Sequence, residues 1–242
     1  MVPFSGPVRR FYDARMSADL TDIVLDKGAG YLKSYFAESA ARTYTGRWFE
    51  TLAGGGDRDD TRDRITGDDL IAVEMLSVEI PGAARWELLD GPLGATVNGH
   101  LAHIPATASI EDPDAAGLLA DDNHADRAHV AMRSSRLLGY VIAGKLLARK
   151  RPHLIPVYDS RVRCQYGRPA KFWIPLQKRF TADGGALRAA LVEARSAAGV
   201  AERTSVLRAL DVILWMRHLD LFGKCRNTRS CGGFDTVSLT AT

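Results

Sequence analysis

Apolar residues recur in this sequence at the three- and four-residue spacing of helices, and few stretches alternate between apolar and polar residues. Clusters of Val, Ile and Thr, which favour strands, are short. A segment can bury one face only when its apolar residues share that face, so this spacing predicts helices of roughly 10–15 residues. The sequence therefore predicts an all-α, multi-helix globular fold.

Helix boundaries are indicated by capping residues and by glycine or proline. Ser17 and Thr66 are the expected caps of two helices in the first half of the chain. The helix after Thr66 is apolar nearly all round and is expected to end at Pro81 and Gly82. A short helix is predicted around residues 84–89, and a loop with another short helix at 109–126. In the second half we predict helices at residues 124–137, 140–150, 160–166, 170–180, 185–197 and 204–221.

The composition predicts a protein with a sizeable core. The chain has 242 residues, of which 46% are hydrophobic and 25% charged, which excludes intrinsic disorder of the whole chain. No run of apolar residues is long enough to span a membrane, and the first ten residues lack the apolar region of a secretory signal. Three cysteines are too few for a disulfide framework. These features predict a cytoplasmic protein without a membrane partner. We expect a helical lobe at 1–125, a second lobe at 126–218 and a loosely ordered tail at 219–242.

The net charge of +3 conceals a strong asymmetry along the chain. Residues 133–179 contain twelve basic residues and one acid, Asp159, which gives that segment a charge of +11. The remaining 20 basic and 28 acidic residues give the rest of the chain a charge of −8. Such a basic segment is typical of proteins that bind a phosphate backbone. The alternative is a solvated basic face, or one paired with the acidic lobe.

The basic segment contains a predicted helical hairpin. One helix is expected to end near Leu138, and Gly139 permits a tight turn into the next helix. Pro152 stops that helix, and an extended apolar linker follows. Asp159 is then placed to cap the helix at residues 160–166.

This hairpin resembles the helix-hairpin-helix element of base-excision DNA glycosylases, in their adenine-glycosylase and endonuclease branch. Gly139 matches the second glycine of the family's hairpin, and Ala143 matches an alanine of the following helix. The segment Pro156-Val-Tyr-Asp159 matches the one that ends in the family's catalytic aspartate, and Val162 and Arg163 continue the match. The resemblance covers about 30 residues and implies a glycosylase-like fold.

The resemblance implies a role for each part of the hairpin. Asp159 would stabilise an oxocarbenium ion or activate a water beside a flipped-out nucleotide, whereas the plain alternative is a helix cap. The backbone of the hairpin would hold a phosphate, with a structural monovalent cation as its only cofactor and no catalytic metal. The implied DNA-binding residues are Gly139, Tyr140, Val141, Lys145, Arg149, Lys150, Arg151, Arg161 and Arg163.

The sequence departs from the glycosylase pattern at several positions. Leu137 stands where the first hairpin glycine is expected. Val141 occupies the position of the Schiff-base lysine of bifunctional glycosylases, so covalent β-elimination is not expected. Cys225 and Cys231 do not reproduce the iron–sulfur loop of some relatives, and Cys164 is remote from them in the sequence.

The chain as a whole is also similar to an uncharacterised family of high-GC bacterial proteins. Three segments of the sequence carry this resemblance, at residues 45–56, 145–159 and 210–216. It covers roughly residues 40–218 and implies no activity.

Other features of the sequence point to structural roles. The Gly54-Gly55-Gly56 loop lacks the residues of a P-loop or a dinucleotide fingerprint and is expected to be mostly structural. The histidines lack the spacing of a zinc site. Tyr158, Phe172 and Trp173 could stack on a base but are more often core residues.

Three functions remain open from the sequence. The first is a monofunctional DNA glycosylase, and the second is a non-catalytic nucleic-acid-binding protein that uses the same hairpin. The third is a fold relic that binds a protein or a small molecule. A DNA partner is expected for the first two.

Overall fold

A computed structural model describes residues 19–38, 44–166 and 172–223, and within these ranges it contains twelve α-helices and no strand. The all-α prediction is therefore confirmed for the described residues. None of their helices is long and apolar enough to cross a membrane.

The first helical segment runs without a break from Leu20 to Phe36. It comprises α1 (Leu20–Ile23), a π-helical turn (Val24–Gly28) and α2 (Ala29–Phe36). The Thr21 N–H donates to Asp19 Oδ1 at 2.8 Å, so Asp19 caps the helix. The predicted cap, Ser17, lies outside the described residues. The π turn ends at Gly28, which lies close to Ile213.

Helix α3 (Gly67–Glu74) begins as predicted at Thr66. The Thr66 hydroxyl accepts from the Asp69 N–H, and the Asp69 carboxylate accepts from the Thr66 N–H at 2.9 Å, which completes a capping box. The prediction that this helix extends to Pro81 is wrong. It ends at Glu74 because Ser77 takes a left-handed backbone conformation with a φ of 59°.

Three helices complete the first half. Helix α4 (Gly82–Leu89) and the single-turn α6 (Ala115–Leu118) lie where short helices were predicted. Helix α5 (Pro92–Leu101) was not predicted. Gly91 is its cap and Pro92 its first residue, a position where the missing N–H costs no hydrogen bond.

The second half contains the six predicted helices, with some ends displaced. They are α7 (His124–Ser134), α8 (Tyr140–Lys150), α9 (Ser160–Tyr166), α10 (Trp173–Thr181), α11 (Ala186–Ala197) and α12 (Val206–Phe222). Helices α8 and α9 have the predicted bounds. Helix α7 ends three residues early because Arg136 has a φ of 60°. Helix α12 includes residues 219–222, which were assigned to the loose tail, whereas residues 224–242 lie outside the described residues.

Helix α12 lies at the centre of the packing, where it contacts α2, α9 and α11. One cluster of buried apolar residues runs from Leu20 to Met216. Because this cluster includes residues from both sides of position 125, the two predicted lobes share a core, and their division stays a prediction.

Candidate functional site

A cavity of about 160 Å³ lies where α2, α9 and α12 meet two loops from the first half of the chain. Thr45 and Ser77 are exposed at its wall, so it opens to solvent. Three aromatic and three charged side chains contribute to the lining. Its residues are Tyr35, Tyr44, Thr45, Gly46, Met75, Leu76, Ser77, Val157, Asp159, Arg208, Asp211, Val212 and Trp215.

Asp159 contributes to this cavity from the residue that immediately precedes α9. Its Oδ1 accepts the Arg161 N–H at 2.9 Å and the Val162 N–H at 3.0 Å, which confirms the predicted cap. The described residues donate no hydrogen bond to Oδ2. The cap therefore uses only one oxygen of this half-buried carboxylate.

A second carboxylate, Asp211, lines the same cavity from α12 and is only 3% exposed. Arg208 donates to Asp211 Oδ2, to the Tyr35 hydroxyl at 2.8 Å and to the Gly46 carbonyl at 3.0 Å. Burial, together with the negative charge of Asp159, raises the pKa of Asp211 to about 7 against the opposing charges of Arg208 and Lys145. The cavity therefore holds two carboxylates in unlike surroundings.

Glu50 fixes the first turn of α12 and with it the position of Arg208. The Ser205 N–H and hydroxyl donate to the Glu50 carboxylate at 2.7 and 2.6 Å. The Arg208 N–H donates to Ser205 Oγ at 3.0 Å, so Ser205 caps α12. Burial raises the pKa of Glu50.

Three aromatic rings form one wall of the cavity. Tyr35 and Tyr44 stack with centroids 4.9 Å apart and an interplanar angle of 5°. Trp215 meets Tyr44 edge-on at 5.4 Å, and the Arg161 guanidinium lies 4.1 Å from the centroid of the Trp215 ring. Such a wall suits a flat, unsaturated ligand.

Gly46 allows the cavity wall to close around Tyr35. A methyl group on Gly46 would overlap with the Tyr35 hydroxyl and would lie 2.7 Å from Leu76 Cδ2. The neighbouring Thr45 hydroxyl donates to the Met75 carbonyl at 2.7 Å and ties the two loops together. A residue without a side chain is therefore needed at this position.

Lys145 is buried, contrary to its predicted role in phosphate binding. It is 2% exposed, and its Nζ donates to the Leu76 carbonyl at 3.0 Å behind the cavity. Burial lowers its pKa, although Asp159 and Asp211 oppose this shift. Lys145 thus supports the cavity from inside the protein.

Arg149 and Lys150 are also interior residues. Arg149 donates to Asp69 Oδ1 at 3.2 Å, to the Phe49 carbonyl at 2.5 Å and to the Leu52 carbonyl at 2.6 Å. Lys150 Nζ donates to Asp69 Oδ2 at 3.1 Å and to a nearby carbonyl at 2.7 Å. The triple-glycine loop packs against Arg149, since a side chain at Gly56 would overlap with the arginine. This contact supports the structural role predicted for that loop.

Arg151 completes this run of buried cations. It is fully buried and donates to the carbonyls of Ile104, Arg62 and Leu101 and to Asp63 Oδ1, at 2.6–2.8 Å. The expectation that Lys145, Arg149, Lys150 and Arg151 form an exposed phosphate-binding surface is therefore wrong. The charge pattern could not reveal their carbonyl and carboxylate partners, which come from residues far away in the sequence.

The hairpin itself has accessible groups. Gly139 caps α8 and is exposed, and Tyr140 and Val141 are half-buried behind it. Arg136 and Arg163 are exposed. Phosphate binding by the hairpin, by Arg161 and by Arg163, like the monovalent cation, stays a prediction.

A smaller cavity of about 130 Å³ lies beside Tyr140, between α7 and α10. His129 and Trp173 line it, with ring centroids 5.5 Å apart. Tyr158 and Phe172 stack on each other at 3.9 Å and are both buried. The core interpretation therefore holds for Tyr158 and Phe172, whereas Trp173 is half-buried.

Three histidines that the sequence separates come together at the end of α5 and the start of α7. His100 Nδ1 lies 3.1 Å from His124 Nδ1, and the His103 ring stacks on His124 at 4.3 Å. Within the described residues, no three His, Cys, Asp or Glu side chains are arranged to hold a metal ion. This cluster is therefore not a metal site in the conformation described.

Sequence reasoning identified Asp159 but missed Arg208, Asp211 and the aromatic wall. The sequence did contain a signal for these residues. The three segments that carry the similarity to the uncharacterised family, at residues 45–56, 145–159 and 210–216, each contribute residues to the cavity. Their convergence became visible only in the folded chain.

Comparison with known proteins gives one match. Neither curated proteins nor solved structures show significant similarity to the chain. A family model described as a family of unknown function (DUF6308) matches residues 28–218. That span contains every residue that lines the cavity with Asp159. The chain therefore belongs to this family, which carries no link to the glycosylases.

Proposed function

We propose that the protein is a monofunctional DNA glycosylase, which hydrolyses the N-glycosidic bond of a flipped-out nucleotide at the Asp159 cavity. The observation that carries this proposal is the position of Asp159. It lines an aromatic cavity while one of its oxygens is held by two backbone N–H groups. A fixed carboxylate beside a flat binding wall is what cleavage next to a nucleobase requires.

The chemistry assigned to Asp159 follows from its surroundings. The base would stack against Tyr44 and Trp215, which places the sugar toward the carboxylate. As the bond to the base breaks, positive charge develops on the sugar, and the negative Asp159 stabilises it. Asp159 can also accept a proton from the water that attacks the anomeric carbon. Val141 stands at the position of the Schiff-base lysine, so the reaction ends with an abasic site.

DNA binding is proposed at the hairpin. The exposed Gly139 and the exposed arginines Arg133, Arg136 and Arg163 offer a backbone amide and positive charge to phosphates. This surface replaces Lys145, Arg149, Lys150 and Arg151 as the proposed contact, because those four cations lie inside the protein.

The second candidate is a non-catalytic nucleic-acid-binding protein. Leu137 favours it, because a side chain stands where the hairpin glycine of glycosylases is expected. In that case the exposed hairpin arginines would bind DNA without chemistry at the cavity.

Base release from damaged DNA tests the proposal. Duplexes that carry single lesions are incubated with the protein and then heated in alkali, which cleaves abasic sites. We expect the wild type to produce abasic sites and Asp159→Asn to reduce their rate of formation about 100-fold or more. Asn retains the helix cap, so the variant should fold and bind DNA as the wild type does.

The outcomes separate the two candidates. Equal activity of Asp159→Asn and the wild type would exclude Asp159 as the catalytic group. Salt-sensitive DNA binding without abasic product from any duplex would favour the non-catalytic candidate.

A further inference from the structure

The smaller cavity beside Tyr140 shares no lining residue with the Asp159 cavity. It measures about 130 Å³ and lies between α7 and α10, next to the start of α8. The reaction proposed at Asp159 makes no use of it. A cavity of roughly 150 Å³ admits a benzene-sized ring, so this one has room for a single small planar group.

Aromatic rings form much of the wall of this smaller cavity. The His129 ring meets the Tyr140 ring edge-on at 4.7 Å and the Trp173 ring at 5.5 Å, with interplanar angles of 82° and 68°. Tyr140 and Trp173 are half-buried. The face of an aromatic ring is negative and attracts cations. The guanidinium of Arg133 already lies 5.4 Å from the centroid of the Tyr140 ring.

His129 brings a hydrogen-bond acceptor to this cavity. The residue is only 5% exposed, and its Nε2 lies 3.2 Å from the Tyr140 carbonyl oxygen. A carbonyl can only accept, so Nε2 carries the hydrogen. Histidine is mostly neutral above its ordinary pKa of about 6.5, and burial lowers the pKa of His129. Its Nδ1 is therefore an acceptor, and the described residues donate no hydrogen bond to it.

Two acids, Asp121 and Asp126, line the same cavity. Asp126 Oδ2 accepts the Asp122 N–H at 3.1 Å, and its Oδ1 receives no hydrogen bond from the described residues. Among the described lining residues these two carboxylates outnumber the one cation, Arg133. The lining is thus rich in acceptors and favours a positively charged ligand that carries N–H donors.

We propose that this cavity binds a planar organic cation with N–H donors, of the amidinium or guanidinium class. Its N–H groups would donate to Asp126 and to His129 Nδ1, and its flat face would lie against Trp173. A planar, delocalised cation suits these groups better than an ammonium ion, because it stacks on rings and donates within its own plane. The site is independent of the glycosylase reaction, so either proposal can fail without the other.

Binding of benzamidinium chloride, compared with benzamide, tests the proposal. The two compounds have the same shape, and only the first is charged. The 15N-labelled protein is titrated at about pH 8, where histidine is neutral, and the indole N–H signals are followed by NMR. The Trp173 signal is identified by its loss in Trp173→Phe, and the exposed Trp86 is the internal reference. We expect benzamidinium to shift the Trp173 signal saturably, to leave Trp86 unchanged, and to bind at least about tenfold more tightly than benzamide.

A charge-removing variant locates the ligand beside Asp126. Asp126→Asn retains an acceptor for the Asp122 N–H and should weaken benzamidinium binding about tenfold or more, because a charge-assisted hydrogen bond is lost. Asp122→Asn is the matched control. Asp122 is exposed, does not line the cavity, and has a φ of 59°, which asparagine also adopts. This control should bind benzamidinium as the wild type does.

A titration with N-acetyl-arginine amide identifies the source of the cation. Its binding at Trp173 would point to the arginine side chain of a peptide or protein, whereas binding of benzamidinium alone would point to a small aromatic amidine. Equal binding of benzamide and benzamidinium, no shift of the Trp173 signal with either cation, or equal affinity of Asp126→Asn and the wild type would overturn the proposal. The comparison of benzamide with benzamidinium uses the wild type and therefore stands even if Asp126→Asn does not fold.

Discussion

Lys150 Nζ and Asp69 Oδ2 lie 3.1 Å apart in the interior of the protein, where both side chains are almost completely buried. The other oxygen of Asp69 accepts from Arg149, and the same carboxylate completes the capping box with Thr66. One acid from α3 thus holds two consecutive cations of α8. The densest run of positive charge in the sequence therefore serves as an internal scaffold, which orients α8 and the linker that leads to Asp159.

Removing the charge of Asp69 is expected to destabilise the fold. Asp69→Asn would leave Arg149 and Lys150 without a buried counter-charge, and breaking such a pair typically costs about 3–5 kcal/mol of unfolding free energy. Urea denaturation followed by circular dichroism measures the loss. Asp68→Asn is the matched control because Asp68 is the neighbouring residue and its side chain is 44% exposed. Equal stability of the two variants would contradict the scaffold role of Asp69.

The cavity wall is expected to be intolerant of a side chain at Gly46. Gly46→Ala would place a methyl group against Tyr35 and Leu76, and such overpacking costs about 1–3 kcal/mol. Ligand binding at the cavity should weaken as well, because Tyr35 and Arg208 must shift. Gly99→Ala on α5 is the control, since its methyl group meets no atom within 4 Å and should stabilise the helix by up to about 1 kcal/mol. Differential scanning calorimetry would compare the two variants.

The raised pKa of Asp211 predicts how stability changes with pH. The folded protein binds the proton of Asp211 up to about pH 7, whereas an unfolded aspartate loses it near 3.8. The stabilisation is therefore complete below pH 3.8 and is lost as the pH rises toward 7. The difference in unfolding free energy between the wild type and Asp211→Asn should shift against the wild type across this window and level off above it. A difference that does not change between pH 4 and pH 7 would contradict the raised pKa.

DNA binding is expected to depend on the exposed arginines and to be strongly salt-dependent. Arg136→Glu and Arg163→Glu should each weaken affinity for an undamaged duplex and reduce the slope of log affinity against log salt by roughly 1. Arg64→Glu is the control, because Arg64 is exposed but lies outside the basic segment. Fluorescence anisotropy at several salt concentrations measures both quantities. Equal losses in all three variants would indicate a nonspecific effect of charge.

The hairpin shows how far local sequence determines local structure. The bounds of α8 and α9 were predicted correctly, because Gly139, Pro152 and Asp159 act on their nearest neighbours. The end of α7 was misplaced by three residues, because the left-handed backbone of Arg136 has no clear signal in the sequence. Helix α5 was missed because Gly91-Pro92 is compatible with both a turn and a helix start.

The candidate site was only partly predictable. Asp159 was identified because its linker and cap form a local pattern. Asp211 and Arg208 are separated from it by about 50 residues, and nothing in the spacing of α12 shows that they face the same cavity. Their shared surroundings also set the pKa of Asp211, which depends on burial and therefore on the complete fold.

The sequence by itself determined the all-helical fold, most helix boundaries and the segment in which positive charge is concentrated. Those properties depend on spacing along the chain and on contacts between near neighbours. Only the tertiary structure decided which of these basic side chains are buried and which are exposed to solvent. Lys145, Arg149, Lys150 and Arg151 lie inside because carbonyl groups and Asp69, supplied by distant segments, offset the cost of removing them from water. The same packing joined Asp159 to Asp211 in one cavity, and that is where we propose the chemistry takes place.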